Sequence, residues 1–116
     1  MRKILLIFTA ALLLIIAGCL GPTALREGSY RPGIYEGRGM GLRGTVTVRI
    51  EISADGITDI EIIEHREWAY PGLAAMEELL ELVLETGSPD LDAISGATFS
   101  SIGFLEAVEN ALGKAE

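Results

Sequence analysis

A chain of 116 residues with a formal net charge of −8 has room for one small domain, and its charge excludes nucleic-acid binding through a basic face. One cysteine excludes an intramolecular disulfide, and one histidine excludes a histidine-built metal centre, so no metal is expected. The sequence carries no internal repeat or low-complexity tract.

The chain begins with the positive run Met1-Arg2-Lys3, followed by the almost wholly apolar Ile4 to Ala17. That run has the character of a secretory signal and is short beside the roughly 17–25 residues of a membrane-spanning helix. It closes on Ile16-Ala17-Gly18-Cys19. Small residues directly before such a cysteine resemble the lipobox of bacterial lipoproteins, in which the peptide is cut before the cysteine and its thiol is diacylated. The alternative is an uncleaved anchor with a chance cysteine. On the lipobox reading, residues 1–18 are a signal peptide, 19–32 a lipid-anchored tether broken by Gly21-Pro22 and Arg31-Pro32, and 33–116 the domain. Removal of 1–18 takes Arg2 and Lys3 and no acid, moving the net charge from −8 to −10.

Tyr35-Glu36-Gly37-Arg38-Gly39-Met40-Gly41 alternates glycine with larger residues. In a strand those glycines share one nearly bare face, open to close approach by a helix or by a flat ligand. Thr45 to Ile52 alternates next, with Val46, Val48, Ile50 and Ile52 predicted inward and Thr45, Thr47, Arg49 and Glu51 outward. Ala54-Asp55-Gly56 supplies a hairpin turn, and Ile57 to Glu64 the return strand. The period then changes. From Pro71, Leu73, Met76, Leu80 and Val83 or Leu84 recur at helical spacing until Gly87 and Pro89 end the helix. A last helix is predicted from about Phe99 to Leu112, with Ile102, Leu105, Val108 and Leu112 on its apolar side. The expected fold is α+β: an antiparallel sheet of three or more strands with two helices on one face.

Asp90 to Ser101 (DLDAISGATFSS) lies directly before that last helix. The plainest reading makes Thr98 its N-cap, with Ser101 in place of the usual Glu or Gln of a capping box. That explains one hydroxyl but requires neither the small pair Gly96-Ala97 nor Asp92. A helix N-terminus also favours a phosphate, and Gly96 and Ala97 allow one to come near the backbone. With no adjacent base, the Thr98 hydroxyl is a poor nucleophile for catalysis but a good acceptor for a group attached by another enzyme. No catalytic residue is expected.

Asp92-x-x-Ser95-Gly96-Ala97-Thr98 resembles the Asp-x-x-(Ser/Thr)-Gly-Ala-Thr motif of flavinylated FMN-binding domains. These occur in subunits of the sodium-pumping NADH:quinone oxidoreductase, in Rnf complexes and in small extracytoplasmic lipoproteins. The resemblance runs from about Tyr35 to Leu112 and includes the Tyr-x-Gly-x-Gly opening. It implies that a flavin transferase, using FAD and magnesium, esterifies FMN through its phosphate to Thr98, with Asp92, Ser95, Gly96 and Ala97 around the attachment. The family's His-x-Glu-Thr-Pro-Gly segment, which lines the flavin, is matched here by His65-Arg66-Glu67-Trp68-Ala69-Tyr70-Pro71-Gly72, with two extra residues between Glu67 and Pro71. His65 is then a flavin contact or an ordinary loop histidine; Trp68 and Tyr70 stack on the ring, belong to a local core or form a docking surface. The implied function is a membrane-anchored extracytoplasmic electron carrier with a membrane redox partner, more a redox subunit than a stand-alone enzyme. The alternatives are a non-covalent FMN-binding module and a structural lipoprotein in which Thr98 only caps the helix.

Overall fold

A strand whose inner face is glycine lets a helix lie directly on its backbone, and this contact organises the domain. The computed structural model describes residues 30–116; the signal segment, Cys19 and the tether up to residue 29 lie outside the described residues. Strands β1 (Gly33–Met40), β2 (Thr45–Ser53) and β3 (Gly56–Glu64) pair antiparallel in the order β1-β2-β3, and helices α1 (Ala74–Thr86) and α2 (Thr98–Lys114) follow. Both helices cover one face of the sheet, giving the α+β architecture that the sequence predicts.

Val46, Val48, Ile50 and Ile52 all point into the core, as their alternation requires. Thr47 is buried as well, against expectation: it lies opposite Arg38 on one side and Glu64 on the other, and these long side chains flank it. Two register shifts leave Thr58 and Ile63 as extra residues on β3. The first brings Ile57 and Ile60 inward together although they are three apart. On the outer face Arg49 and Glu61 stand opposite each other and pair at 2.6 Å, an exposed contact that helps register more than stability.

α1 is preceded by a wide turn, Ala69–Leu73, in which the Leu73 N–H donates to the Trp68 carbonyl at 2.9 Å and the Tyr70–Pro71 peptide is cis. Because the helix begins only at Ala74, its buried stripe is Ala75, Met76, Leu79 and Val83, while Leu73, Leu80 and Leu84 are half-buried at its edges. Gly87 ends it with φ 71°, its N–H donating to the Val83 carbonyl at 2.7 Å.

α2 runs one residue earlier and two later than its apolar spacing predicts. It is enclosed on two sides, by the sheet and by α1, so it buries Phe104, Ala107, Val108, Ala111 and Leu112, while the expected core residue Ile102 is exposed. Towards β1 it presents Gly103, Ala107 and Ala111. A Cβ on Gly37 would overlap the Ala107 carbonyl, one on Gly39 would overlap the Gly103 carbonyl, and one on Gly103 would lie 2.6 Å from the Gly41 backbone. Of the two uses open to the bare face, the helix takes it.

The outer edge of β1 is stapled by the same helix. The Arg38 N–H donates to Asn110 Oδ1 at 3.1 Å, and Lys114 Nζ donates to the Glu36 carbonyl at 2.7 Å. Just before β1 the Arg31 N–H donates to the Ala115 carbonyl at 2.7 Å, and the Tyr35 hydroxyl closes back on the Arg31 carbonyl at 2.8 Å.

Gly39→Ala should therefore destabilise the domain by about 3 kcal/mol, because rigid backbone must retreat. Gly113→Ala, in the same helix but with open space around the new methyl, should be neutral or stabilising by less than about 1 kcal/mol. Urea midpoints of the two variants check the pair; equal effects would contradict the close contact.

Candidate functional site

The contact of α2 with β1 brings three distant pieces of chain around one carboxylate. Glu67 is only 6% exposed. Its Oε1 accepts the Leu42 N–H at 2.7 Å and the Ser100 hydroxyl at 2.6 Å, and its Oε2 accepts the Arg43 N–H at 2.9 Å. The seat is made by glycine: a Cβ on Gly41 would lie 2.6 Å from Oε1, and one on Gly72 would lie 3.0 Å from both the Glu67 Cβ and the Ser100 hydroxyl. Burial alone would raise the pKa of this group. The bonds from Ser100, Arg43 and Leu42 outweigh burial and hold it below the usual glutamate range.

The carboxylate forms the floor of a cleft of about 200 Å³ lined by Leu42, Arg43, Glu67, Trp68, Pro71, Gly72, Gly96 and Ser100. On its rim, the Arg43 guanidinium stacks 4.5 Å above the Trp68 ring, and Arg43 Nε donates to the Arg66 carbonyl at 3.1 Å. Trp68 is 58% exposed, so much of the indole remains available to a flat partner.

Gly96 joins the cleft to the start of α2. Ile94 to Ala97 form a tight turn closed by the Ala97 N–H on the Ile94 carbonyl at 3.0 Å. Gly96 holds its third place with φ 87°, the conformation a type II turn demands, and the space above it is open. The turn is buttressed from behind by Ser101, whose hydroxyl donates to the Ala97 carbonyl at 2.7 Å and accepts the Ile94 N–H at 3.1 Å. Ala97 occupies the N-cap position and no side chain caps the helix. Thr98 is thus the first helical residue and not its cap, because the buried Ser101 already organises the turn from inside. Thr98 is exposed, and its hydroxyl has no hydrogen-bond partner among the described residues. The N–H groups of Thr98, Phe99 and Ser100, at the positive end of α2, likewise find no acceptor among the described residues.

Of the residues singled out by the sequence, Glu67, Trp68, Pro71, Gly72 and Gly96 line the cleft, and Ser95, Ala97 and Thr98 belong to the adjoining turn and helix start. Asp92 is exposed on the approach to that turn. His65 stands behind Glu67, its Nδ1 accepting the Glu67 N–H at 3.1 Å, and does not line the cleft. Leu42, Arg43 and Ser100 were not singled out. Ser100 carried one signal, a polar residue beside the apolar positions of a helix.

These features fit a flavin mononucleotide. An exposed aromatic face suits a flat ring, and unpaired N–H groups beside an unhindered glycine suit a phosphate. A model of the FMN-binding domain family matches residues 41–113. The chain belongs to this family. It is 32% identical over 78 residues to the urocanate reductase of Eggerthella lenta, covering 67% of this chain and 13% of that protein. It is 33% identical over 83 residues to the NADH:acrylate oxidoreductase of Vibrio harveyi, covering 72% of this chain and 8% of that one. With the NADH:fumarate oxidoreductase of Klebsiella pneumoniae it shares 28% over 92 residues, 79% of this chain and 10% of the relative. The chain thus spans about a tenth of the length of these relatives. FMN is the cofactor of this FMN-binding domain, and the chemistry FMN supplies when bound is electron transfer.

A group whose folded pKa is depressed stabilises the fold above its unfolded pKa and loses that contribution as pH falls through the folded value. For Glu67 the loss should begin near the ordinary glutamate value of 4.5 and continue below it. Glu67→Gln, which replaces one accepting oxygen by a donor, should lower stability at pH 7 by about 1–3 kcal/mol and flatten the acid dependence. Urea unfolding at several pH values between 7 and 3 checks both statements.

Proposed function

We propose that this domain carries FMN joined by a phosphoester to Thr98 and works as an electron carrier tethered to the extracytoplasmic face of the cell membrane. The observation that carries the reading is the state of Thr98: an exposed hydroxyl on the first residue of α2 that, like the N–H groups beside it, has no partner among the described residues, next to Gly96 and at the end of the Asp92-to-Thr98 motif. In the transfer the Thr98 oxygen attacks the FMN-side phosphorus of FAD. The phosphoanhydride breaks, AMP leaves, and the hydroxyl proton passes to the transferase, with magnesium balancing phosphate charge. Nothing in the domain has to activate the hydroxyl, which agrees with its having no base as a hydrogen-bond partner among the described residues.

The cleft supports a carrier rather than an enclosing active site. Its volume of about 200 Å³ falls below the roughly 300–1,000 Å³ of pockets that bury a small molecule. A flat ring seated there keeps an edge in solvent, where a redox partner can reach it. The partner in this reading is a membrane oxidoreductase, and the relatives, named as a reductase and two NADH oxidoreductases, carry activities of the same redox class.

After incubation with a flavin transferase, FAD and magnesium, the mature protein should gain the mass of FMN less one water, on the peptide containing Thr98. The fluorescent band should persist on a denaturing gel, and Thr98→Ala should abolish it. A flavin that binds but leaves on denaturation would decide for non-covalent binding. A protein that takes no flavin would decide for a structural role, and Thr98→Ala would then leave only a small change in stability, since Thr98 makes no cap.

Anchoring is supported by the Ile16-Ala17-Gly18-Cys19 sequence after a short apolar run. Cys19→Ala should leave the precursor uncleaved or release the domain from the membrane fraction. Normal processing and normal fatty-acid labelling of that variant would remove the lipid anchor from the reading.

A further inference from the structure

Arg43 stands out among the cations of this acidic chain because three contacts fix it without neutralising it. Its backbone N–H is bound by Glu67, its Nε by the Arg66 carbonyl, and its guanidinium plane by the face of Trp68. Neither of its NH2 groups meets an acceptor among the described residues, and the ion pair recorded there is Arg49 with Glu61. The other charge in the cleft lining is Glu67, whose oxygens are turned to Leu42, Arg43 and Ser100. The guanidinium is therefore the cleft's strongest unclaimed donor and its positive pole.

We infer that Arg43 tunes the reduction potential of the flavin, a role that rests on FMN occupying this cleft. Taking up two electrons and one proton, the ring gains one unit of negative charge. A fixed cation at the rim favours that state over the neutral oxidised one and raises the potential. Stacking on Trp68 keeps the guanidinium in place, and the Glu67 bond to its backbone holds the loop that bears it. The surrounding protein, net acidic, would by itself act the other way.

The test is a dye-mediated titration of the FMN-loaded protein with dithionite, which is oxidised to sulfite as it delivers the electrons. Loading is first read by mass; where no covalent FMN forms, the same titration is run on protein saturated with free FMN. Arg43→Gln should shift the reduction equilibrium about tenfold toward the oxidised form, a fall of about 30 mV for a two-electron couple. Arg43→Lys should recover most of the wild-type value, and Arg43→Glu should fall further than Arg43→Gln. Arg38→Gln, which removes a cation from β1 away from the cleft, should leave the potential unchanged. A potential that is the same in Arg43→Gln and wild type overturns the inference, and so does an equal fall in Arg38→Gln, which would mean that net charge alone matters. Failure of Arg43→Gln to take FMN, with Arg43→Lys loading normally, also overturns it, because Arg43 would then be a binding residue. Absence of a covalent adduct in the wild type would remove the Thr98 reading and leave this one standing, whereas a wild type that takes FMN neither way removes both.

Discussion

The close contact between β1 and α2 is the constraint on which the rest of the domain depends. Gly37, Gly39 and Gly41 face Gly103, Ala107 and Ala111, and the backbones meet where side chains would ordinarily intervene. The contact is specific as well as close, because a small residue must stand opposite another at each step. It fixes how far α2 can slide along the strand. That setting carries Ser100 and Gly96, one at the first turn of the helix and one just before it, to the loop after β1.

Glu67 converts that placement into a rigid site. A buried carboxylate is stable only when donors surround it, and here they come from the loop after β1 and from α2. Removing either donor segment leaves the acid under-bonded, so the loop after β1 and the start of α2 are held to one another through it. His65 belongs to this support: it turns the chain at the end of β3 so that Glu67 points inward. Among titratable groups at the site, a histidine is the more familiar candidate for chemistry. In this fold it has a structural contact, and the charged residues that line the cleft are Glu67 and Arg43.

How much of this was legible in the sequence depends on the range of the interaction. Alternation exposed β1 and β2, and glycine spacing exposed the bare face, because both are local patterns. The core residues of β3 were blurred by Thr58 and Ile63, whose extra places break the period of two. The buried stripe of α1 was displaced because the wide turn at Ala69–Leu73 uses residues that read as helical. The motif ending at Thr98 was legible as a turn leading into the last helix, but Thr98 is not the cap that its place suggested, since Ser101 holds the turn from within. Least legible was the Glu67 seat, whose donors lie 25, 24 and 33 residues away along the chain. Nothing local to Arg43 distinguishes it from a surface residue, and Ser100 offers only its place beside the apolar positions of a helix, until the fold brings them together.

The two free edges of the sheet bear on how many copies can crowd together. An unpaired strand edge is a template for another chain's backbone. At β1 that template is interrupted by Asn110 and Lys114, which occupy the N–H of Arg38 and the carbonyl of Glu36. β3 is defended differently: its irregularities at Thr58 and Ile63 bend the ladder, and Asp59, Glu61 and Glu64 would repel the same strand of a second copy. Both edges are thus poor templates for the backbone of a second copy.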